Sequence, residues 1–233
     1  MTQYSSRPLP RNQILRQLPP KDREALLARS EYINLPVGYT IARVEDPFST
    51  VYFPDSGVVS VVSEMTTGHH LAVATVGAEG VLGVGTLFGK EAYPLSLIVL
   101  VESAGYRVAS PHLRDLFHSS RDSAQVILGY IGSRMWEALT AAACNRIHSH
   151  RQRLARWLLT ATDKAARDWL PVTHQTLAQM VGGPRHAVTV ALNDLRAKGA
   201  IAHLRGRIEV LDRAVLSAQA CECYVAPNRT GVY

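Results

Sequence analysis

The chain has 233 residues, a hydrophobic fraction of 47% and a formal charge of +6, with 25 Lys and Arg against 19 Asp and Glu. This is enough for two modest domains with real cores, and the sparse, odd set of cysteines, Cys144, Cys221 and Cys223, excludes a disulfide-stapled scaffold. No stretch reaches the ~20 uninterrupted apolar residues of a membrane-crossing helix, so no membrane partner is expected.

The N-terminal MTQYSSRPLPRNQ lacks the apolar core of a secretion signal, and VAPNRTGVY after Tyr224 has no periodicity. Irregular ends and a cytoplasmic location are therefore expected. Residues 19–30, PPKDREALLARS, read as a short helix that buries Leu26 and Leu27. Short β-rich runs follow: Val51 to Phe53, Val58 to Val62, Leu71 to Val76, Leu97 to Val101 and Tyr106 to Ala109. Gly57, Gly68, Gly77 and Gly105 mark turns between them. This texture predicts a small barrel or roll over residues 1–111. Turn residues thin out over 112–145, which predicts one long helix. Its Leu128, Ile131, Met135, Leu139 and Ala142 form a seam suited to a second copy of the chain, with packing on the chain's own roll as the other use.

Residues 146–233 form the last predicted domain. In NRIHSHRQRLARWLLTAT, Leu154, Trp157, Leu158 and Ala161 give a helical core face, leaving Arg151, Arg153 and Arg156 to bind phosphates or be solvated. In VTHQTLAQMVGGPRHAVTVALNDLRAKGAI, Thr173 caps a helix whose Leu177, Met180 and Val181 form one stripe and which ends at Gly182. Gly183 supplies a turn and Pro184 starts a second helix. Its apolar face is Val188, Ala191, Leu192 and Leu195, and Arg185, His186, Thr189, Val190 and Asn193 face outward. Two short helices joined this way are the layout of a helix-turn-helix. After Lys198-Gly199 closes the second helix, IAHLRGRIEV reads as a hairpin turning at Arg205-Gly206-Arg207, a basic-tipped wing. Residues 1–145 hold 12 Lys and Arg against 13 Asp and Glu, whereas residues 146–233 hold 13 against 6. A compact basic domain on a neutral partner is the footprint of a phosphate-binding module, here for double-stranded DNA.

Roll, long helix, then winged helix-turn-helix is an order that resembles the Crp/Fnr superfamily of bacterial transcription regulators over nearly the whole chain. The likeness is strongest at Leu177-Ala178-Gln179-Met180-Val181-Gly182, then Arg185, Val188, Leu192 and Leu195. The resemblance implies an α+β fold with a cyclic-nucleotide-binding-like β-roll or jelly-roll, a dimerisation helix and a winged helix-turn-helix. It also implies a homodimer on a palindromic site, with RNA polymerase as a further partner. The family's second helix usually opens Ser-Arg-Glu-Thr-Val; here Pro184-Arg185-His186-Ala187-Val188 keeps the arginine that the family sets on guanine. With His186 for the acid and Val190 at another contact position, a TGTGA-type half-site is not implied. Residues 145–162 and Ala220 to Tyr224 further resemble an alphaproteobacterial-type branch with a degenerate sensor.

That sensor lies at residues 77–98. Cyclic-nucleotide-binding members carry Gly-Glu-Leu there and then Arg with Ser or Thr; this chain has Gly83-Val84-Gly85 and Leu95-Ser96. A bound cyclic phosphate would lack its cation, so no cAMP or cGMP response is expected, and the surrounding apolar residues read as a filled core before a ligand cavity. No cysteine precedes Cys144, against the iron–sulfur branch of the family, and nothing selects a haem ligand among nine histidines. Cys221-Glu222-Cys223 with Cys144 or a nearby histidine offers zinc binding or a redox pair, but C-x-C lacks a common zinc spacing, so no metal or cofactor is expected. His69 and His70 point to opposite faces and are read as surface residues. Cys144 sits at the junction of helix and DNA-binding domain, where oxidation would bias domain orientation.

The candidate DNA contacts are thus Thr173, Arg185, His186, Thr189, Arg205 and Arg207, and the candidate dimer contacts Leu128, Ile131, Met135 and Leu139. The function expected is a sequence-specific regulator, with a sensor gated by an unidentified small ligand, haem or redox signal as the alternative. No G-x-S-x-G motif, paired carboxylates or phosphate-cradling loop points to an enzyme.

Overall fold

The computed structural model describes residues 9–47, 49–65 and 70–225. The outermost parts of the ends read as irregular, and the turn at Gly68 with His69, lie outside the described residues. From Leu9 onward the N-terminal segment is built into the fold. Asn12 is fully buried, donates through Nδ2 to the carbonyls of Pro54 and Gly80 at 2.8 Å each, and caps α1 (Gln13–Gln17) by accepting from the Leu15 N–H.

α2 (Pro20–Leu27) is the short helix expected, with Leu26 buried. The sheet that follows contains β1 (Ser30–Leu35), β2 (Thr40–Ala42), β3 (Thr50–Glu64), β4 (His70–Val76) and β5 (Ser96–Ala109), a 3₁₀ turn at Val84–Phe88 intervening. All pairings are antiparallel, in the order β1-β5-β3-β4 with β2 also on β5. The first two strands escaped the sequence reading. Two expected turns are also corrected: Gly57 and Gly105 lie inside β3 and β5. Gly57 has φ +77° where the β3–β5 register shifts, and a Cβ there would lie 2.1 Å from the Glu102 carbonyl oxygen. It serves as a bulge that bends a continuous strand. Inside the roll Tyr52, Val59, Val76, Leu82, Tyr93, Leu97 and Val99 pack into one cluster.

The single long helix expected over 112–145 is two helices, α3 (Ser110–Ser119) and α4 (Arg121–Ile147). The break is at Ser120, which is extended and whose hydroxyl accepts from the Ser123 N–H, so a new cap interrupts the helix. α5 (His150–Ala165) starts after Ser149 with a capping box to Gln152 and buries Leu154, Trp157, Leu158 and Ala161 as expected.

The C-terminal domain continues with β6 (Trp169–Leu170), α6 (His174–Val181), α7 (Arg185–Ala197), β7 (Ile201–Leu204), β8 (Arg207–Val210) and α8 (Arg213–Gln219). Its three-stranded sheet has the order β6-β8-β7. The core is not closed off from the roll, because Val58, Leu100 and Val101 belong to the same apolar cluster as Leu158, Leu177 and Leu192. No described helix is long and apolar enough to cross a membrane.

Candidate nucleic-acid interface

The first helix of the pair, α6, is capped as its sequence implies: the Thr173 hydroxyl accepts from the Thr176 N–H at 3.1 Å. Leu177, Ala178 and Val181 turn inward. Met180, expected in that stripe, is only partly buried and instead receives the Ser60 hydroxyl on its sulfur at 3.3 Å, joining α6 to the roll. Gly182 ends the helix at φ +66°, and Gly183 admits the His150 ring, whose Nε2 would lie 2.4 Å from a Cβ there.

Pro184 is the cap of α7 rather than its first residue, and Arg185 opens the helix. Val188, Ala191, Leu192 and Leu195 are all buried, which fixes the rotation of α7. Arg185, His186 and Asn193 are consequently exposed, as is Val190 at 67%. Thr189 departs from the outward position expected of it. It is half-buried, donates its hydroxyl to the Arg185 carbonyl at 3.0 Å and lies 3.1 Å from His174 Nδ1, so its polar atom is committed within the protein.

The wing turns at Arg205-Gly206, with Gly206 at φ +71° and Arg205 exposed at the tip. Arg207, expected to grip backbone beside it, lies inside β8, paired with Glu209 at 2.9 Å and set over the Trp169 ring at 4.8 Å. Its charge is largely answered locally. Arg167 covers the same ring at 4.0 Å, a stacked residue the sequence reading passed over although Arg167-Asp168-Trp169 stands just before the wing sheet.

Of the three arginines of α5 left open to phosphate, Arg153 is 8% exposed and donates to the Gly182 carbonyl at 3.2 Å and to Asn145 Oδ1 at 3.0 Å. Arg151 pairs with Asp194 of α7 at 3.1 Å. Both brace the helix pair.

At the sensor cassette Gly83 has φ +90°, and a Cβ there would lie 2.9 Å from the Tyr93 hydroxyl, which itself donates to the Thr50 carbonyl. Ser96 is buried, its hydroxyl donating to Glu64 and accepting from the Val44 N–H. The position where a phosphate-binding arginine belongs is thus followed by a serine already bonded to a carboxylate.

On α4 the expected seam divides. Leu128, Met135 and Leu139 are 50%, 57% and 54% exposed, and Trp136, not singled out in the sequence, joins them at 52%. Ile131 instead packs on the chain's own cluster around Ile127 and Tyr130.

At the end of α4 the three cysteines set aside in sequence for their C-x-C spacing come together with one histidine, His148. Cys144, His148, Cys221 and Cys223 present ligand atoms that all lie within 4.8 Å of one another. His148 carries no signal by itself, but Cys144 and His148 are four residues apart at a helix end, and that spacing puts them on one face.

The pattern of the Crp-like helix-turn-helix domain matches residues 152–219, and that of the cyclic nucleotide-binding domain matches residues 32–120. No curated protein sequence matches the chain. Among solved structures the fold is similar to TTHB099, a transcriptional regulator of the CRP family from Thermus thermophilus, at 22% identity and TM-score 0.71, covering 83% of this chain and 99% of that one. The c-di-GMP responsive global regulator CLP of Xanthomonas campestris aligns at 22% identity and TM-score 0.68, covering 82% and 99%. FixK2 of Bradyrhizobium japonicum aligns at 15% identity and TM-score 0.70, covering 82% and 98%.

Proposed function

We propose that this chain, which carries a cyclic nucleotide-binding domain followed by a Crp-like helix-turn-helix domain, is a DNA-binding transcription regulator of the Crp/Fnr superfamily and acts as a homodimer reading a palindromic duplex, with Arg185 on a guanine and Arg205 on the phosphate backbone. The observation that carries this reading is the exposed Arg185 opening a helix whose rotation is fixed by its buried Val188, Ala191, Leu192 and Leu195. A bidentate arginine on the O6/N7 edge of guanine discriminates by about 1–3 kcal/mol. His186 and Asn193 share its exposed side of α7 and supply the remaining base or phosphate contacts.

The dimer is supported by α4. Leu128, Met135, Trp136 and Leu139 are left exposed on one helix, and Gly132 among them has open space where a Cβ would be. A glycine inside a helix costs about 1 kcal/mol against alanine, which close approach of a second helix would explain. Two α7 helices would then enter successive major grooves about 34 Å apart. DNA binding on this reading needs no cAMP, since Ser96 is bonded to Glu64 and Tyr93 closes over Gly83. The protein would work in the cytoplasm and meet RNA polymerase at its sites.

The test is selection of binding sites from a random duplex pool without added ligand, which should enrich a palindrome. On the enriched site Arg185→Ala should cost about 1–3 kcal/mol and relax the preference at one position, whereas Arg205→Ala should weaken all sequences alike and flatten the salt slope by about 1. Equal effects of the two changes on every sequence would overturn the assignment.

A further inference from the structure

We propose that Cys144, His148, Cys221 and Cys223 form a structural zinc site that ties the end of α4 to the segment following α8. The four residues come from two places: Cys144 from the last turn of α4 with His148 as its C-terminal cap, and the C-x-C pair from the chain just beyond α8. Cys144 Sγ lies 3.6 Å from Cys221 Sγ, and Cys223 Sγ lies 3.7 Å from His148 Nδ1. A tetrahedral ion with Zn–S of about 2.3 Å and Zn–N of about 2.0–2.1 Å requires S···S edges of ~3.8 Å and S···N edges of ~3.6 Å. These two separations match those edges, and all four ligand atoms lie within 4.8 Å of one another, so a small inward shift closes the set on one ion. Four ligand atoms this close surround one ion, whereas the ligands of an iron–sulfur cluster bind separate metals and must stand further apart.

The surroundings also fit. The other ring nitrogen of His148, Nε2, meets Glu222 Oε1 at 3.1 Å, the carboxylate partner that fixes which imidazole nitrogen is left for a metal. Cys144 and Cys221 are buried and Cys223 partly so, as suits a closed site. Binding would release the three thiol protons to solvent and leave three thiolates around a dication, a net single negative charge. The clamp would lie at the α4–α5 junction.

The full chain, stripped of metal under reducing conditions, is titrated with cobalt and then zinc. One cobalt per chain is expected, with the visible bands of a tetrahedral thiolate site and a near-ultraviolet sulfur-to-cobalt transition, both abolished by zinc. Three thiols should react with a disulfide reagent in the stripped protein and none readily in the zinc-loaded protein. The exposed Glu222→Gln change should weaken zinc about 10–100-fold without altering the fold, as loss of a carboxylate behind a metal-bound histidine does. Octahedral or absent cobalt bands, with thiol reactivity indifferent to zinc, would overturn the proposal. So would a freshly isolated, zinc-free chain whose Cys144 and Cys221 are already joined as a disulfide.

Discussion

Arg153 shows how a single residue can be mistaken in a basic domain. It is one of three arginines on α5, and nothing in its composition separates a phosphate contact from a brace. Its position does, because it shares a face with Trp157 one turn on, and that face is buried. Its guanidinium satisfies the Gly182 carbonyl at the turn between α6 and α7 and reaches Asn145 on α4. Arg153→Met should therefore lower stability by about 1 kcal/mol, the cost of leaving a partly buried carbonyl without its donor. The same variant should bind DNA more weakly with an unchanged salt slope, since no phosphate contact is lost. A slope flattened by about 1, at unchanged unfolding midpoint, would instead make Arg153 a direct backbone contact. The apolar side of α5 was legible because Leu154, Trp157, Leu158 and Ala161 follow a helical period; the fate of the polar side depended on the Gly182 turn, which only the tertiary fold brings near.

At the scale of elements, α4 separates two uses that its sequence blends. Leu128, Met135 and Leu139 are exposed, as a seam for a second copy requires, but Ile131 sits between them in the pattern and packs on the internal core. Leu139→Arg should thus abolish association in sedimentation at micromolar concentration while leaving circular dichroism and the unfolding midpoint of the monomer intact. Ile131→Ala should do the reverse, costing about 2 kcal/mol of stability through a partly filled cavity and preserving the dimer. A Leu139→Arg protein that stays dimeric would place the interface elsewhere. The strands were legible in number only roughly, because glycine marks a turn, a bulge or a close approach with the same letter. Gly57 is a bulge, and Gly105 leaves room for the Phe53 carbonyl, 2.2 Å from where its Cβ would be. Ser120 breaks the long helix by a cap that periodicity alone does not reveal.

Across the whole molecule, the DNA-binding domain is held to the roll by an ion pair as well as by shared apolar contacts. Lys164 at the end of α5 donates to the Thr75 carbonyl at 2.5 Å and meets Glu79 at 2.9 Å, with Arg134 of α4 at 3.9 Å from the same carboxylate. The Lys164 and Glu79 side chains are 12% and 22% exposed. Neither residue carries a sequence signal, because each belongs to a different domain and their pairing exists only once the two dock. Burial opposes ionisation of Glu79, yet Lys164 and the Gly77 N–H hold its carboxyl below the usual carboxylate range. A carboxyl lowered in the folded state contributes stability above its unfolded pKa, near ~4.3 for glutamate, and loses it as pH falls through the folded value. Lys164→Met should destabilise the protein at neutral pH by about 2 kcal/mol, less than is usual for breaking a buried pair because Arg134 remains. In that variant burial dominates and raises the Glu79 carboxyl, so the stability gap to the native chain should narrow as the pH is lowered toward about 4 and Glu79 becomes neutral. Glu79→Gln in the same background should remove this pH dependence. Urea unfolding of the three proteins between neutral and acidic pH measures it, and a gap constant across that range would show that Lys164 acts through packing and its bond to Thr75 rather than through the charge of Glu79.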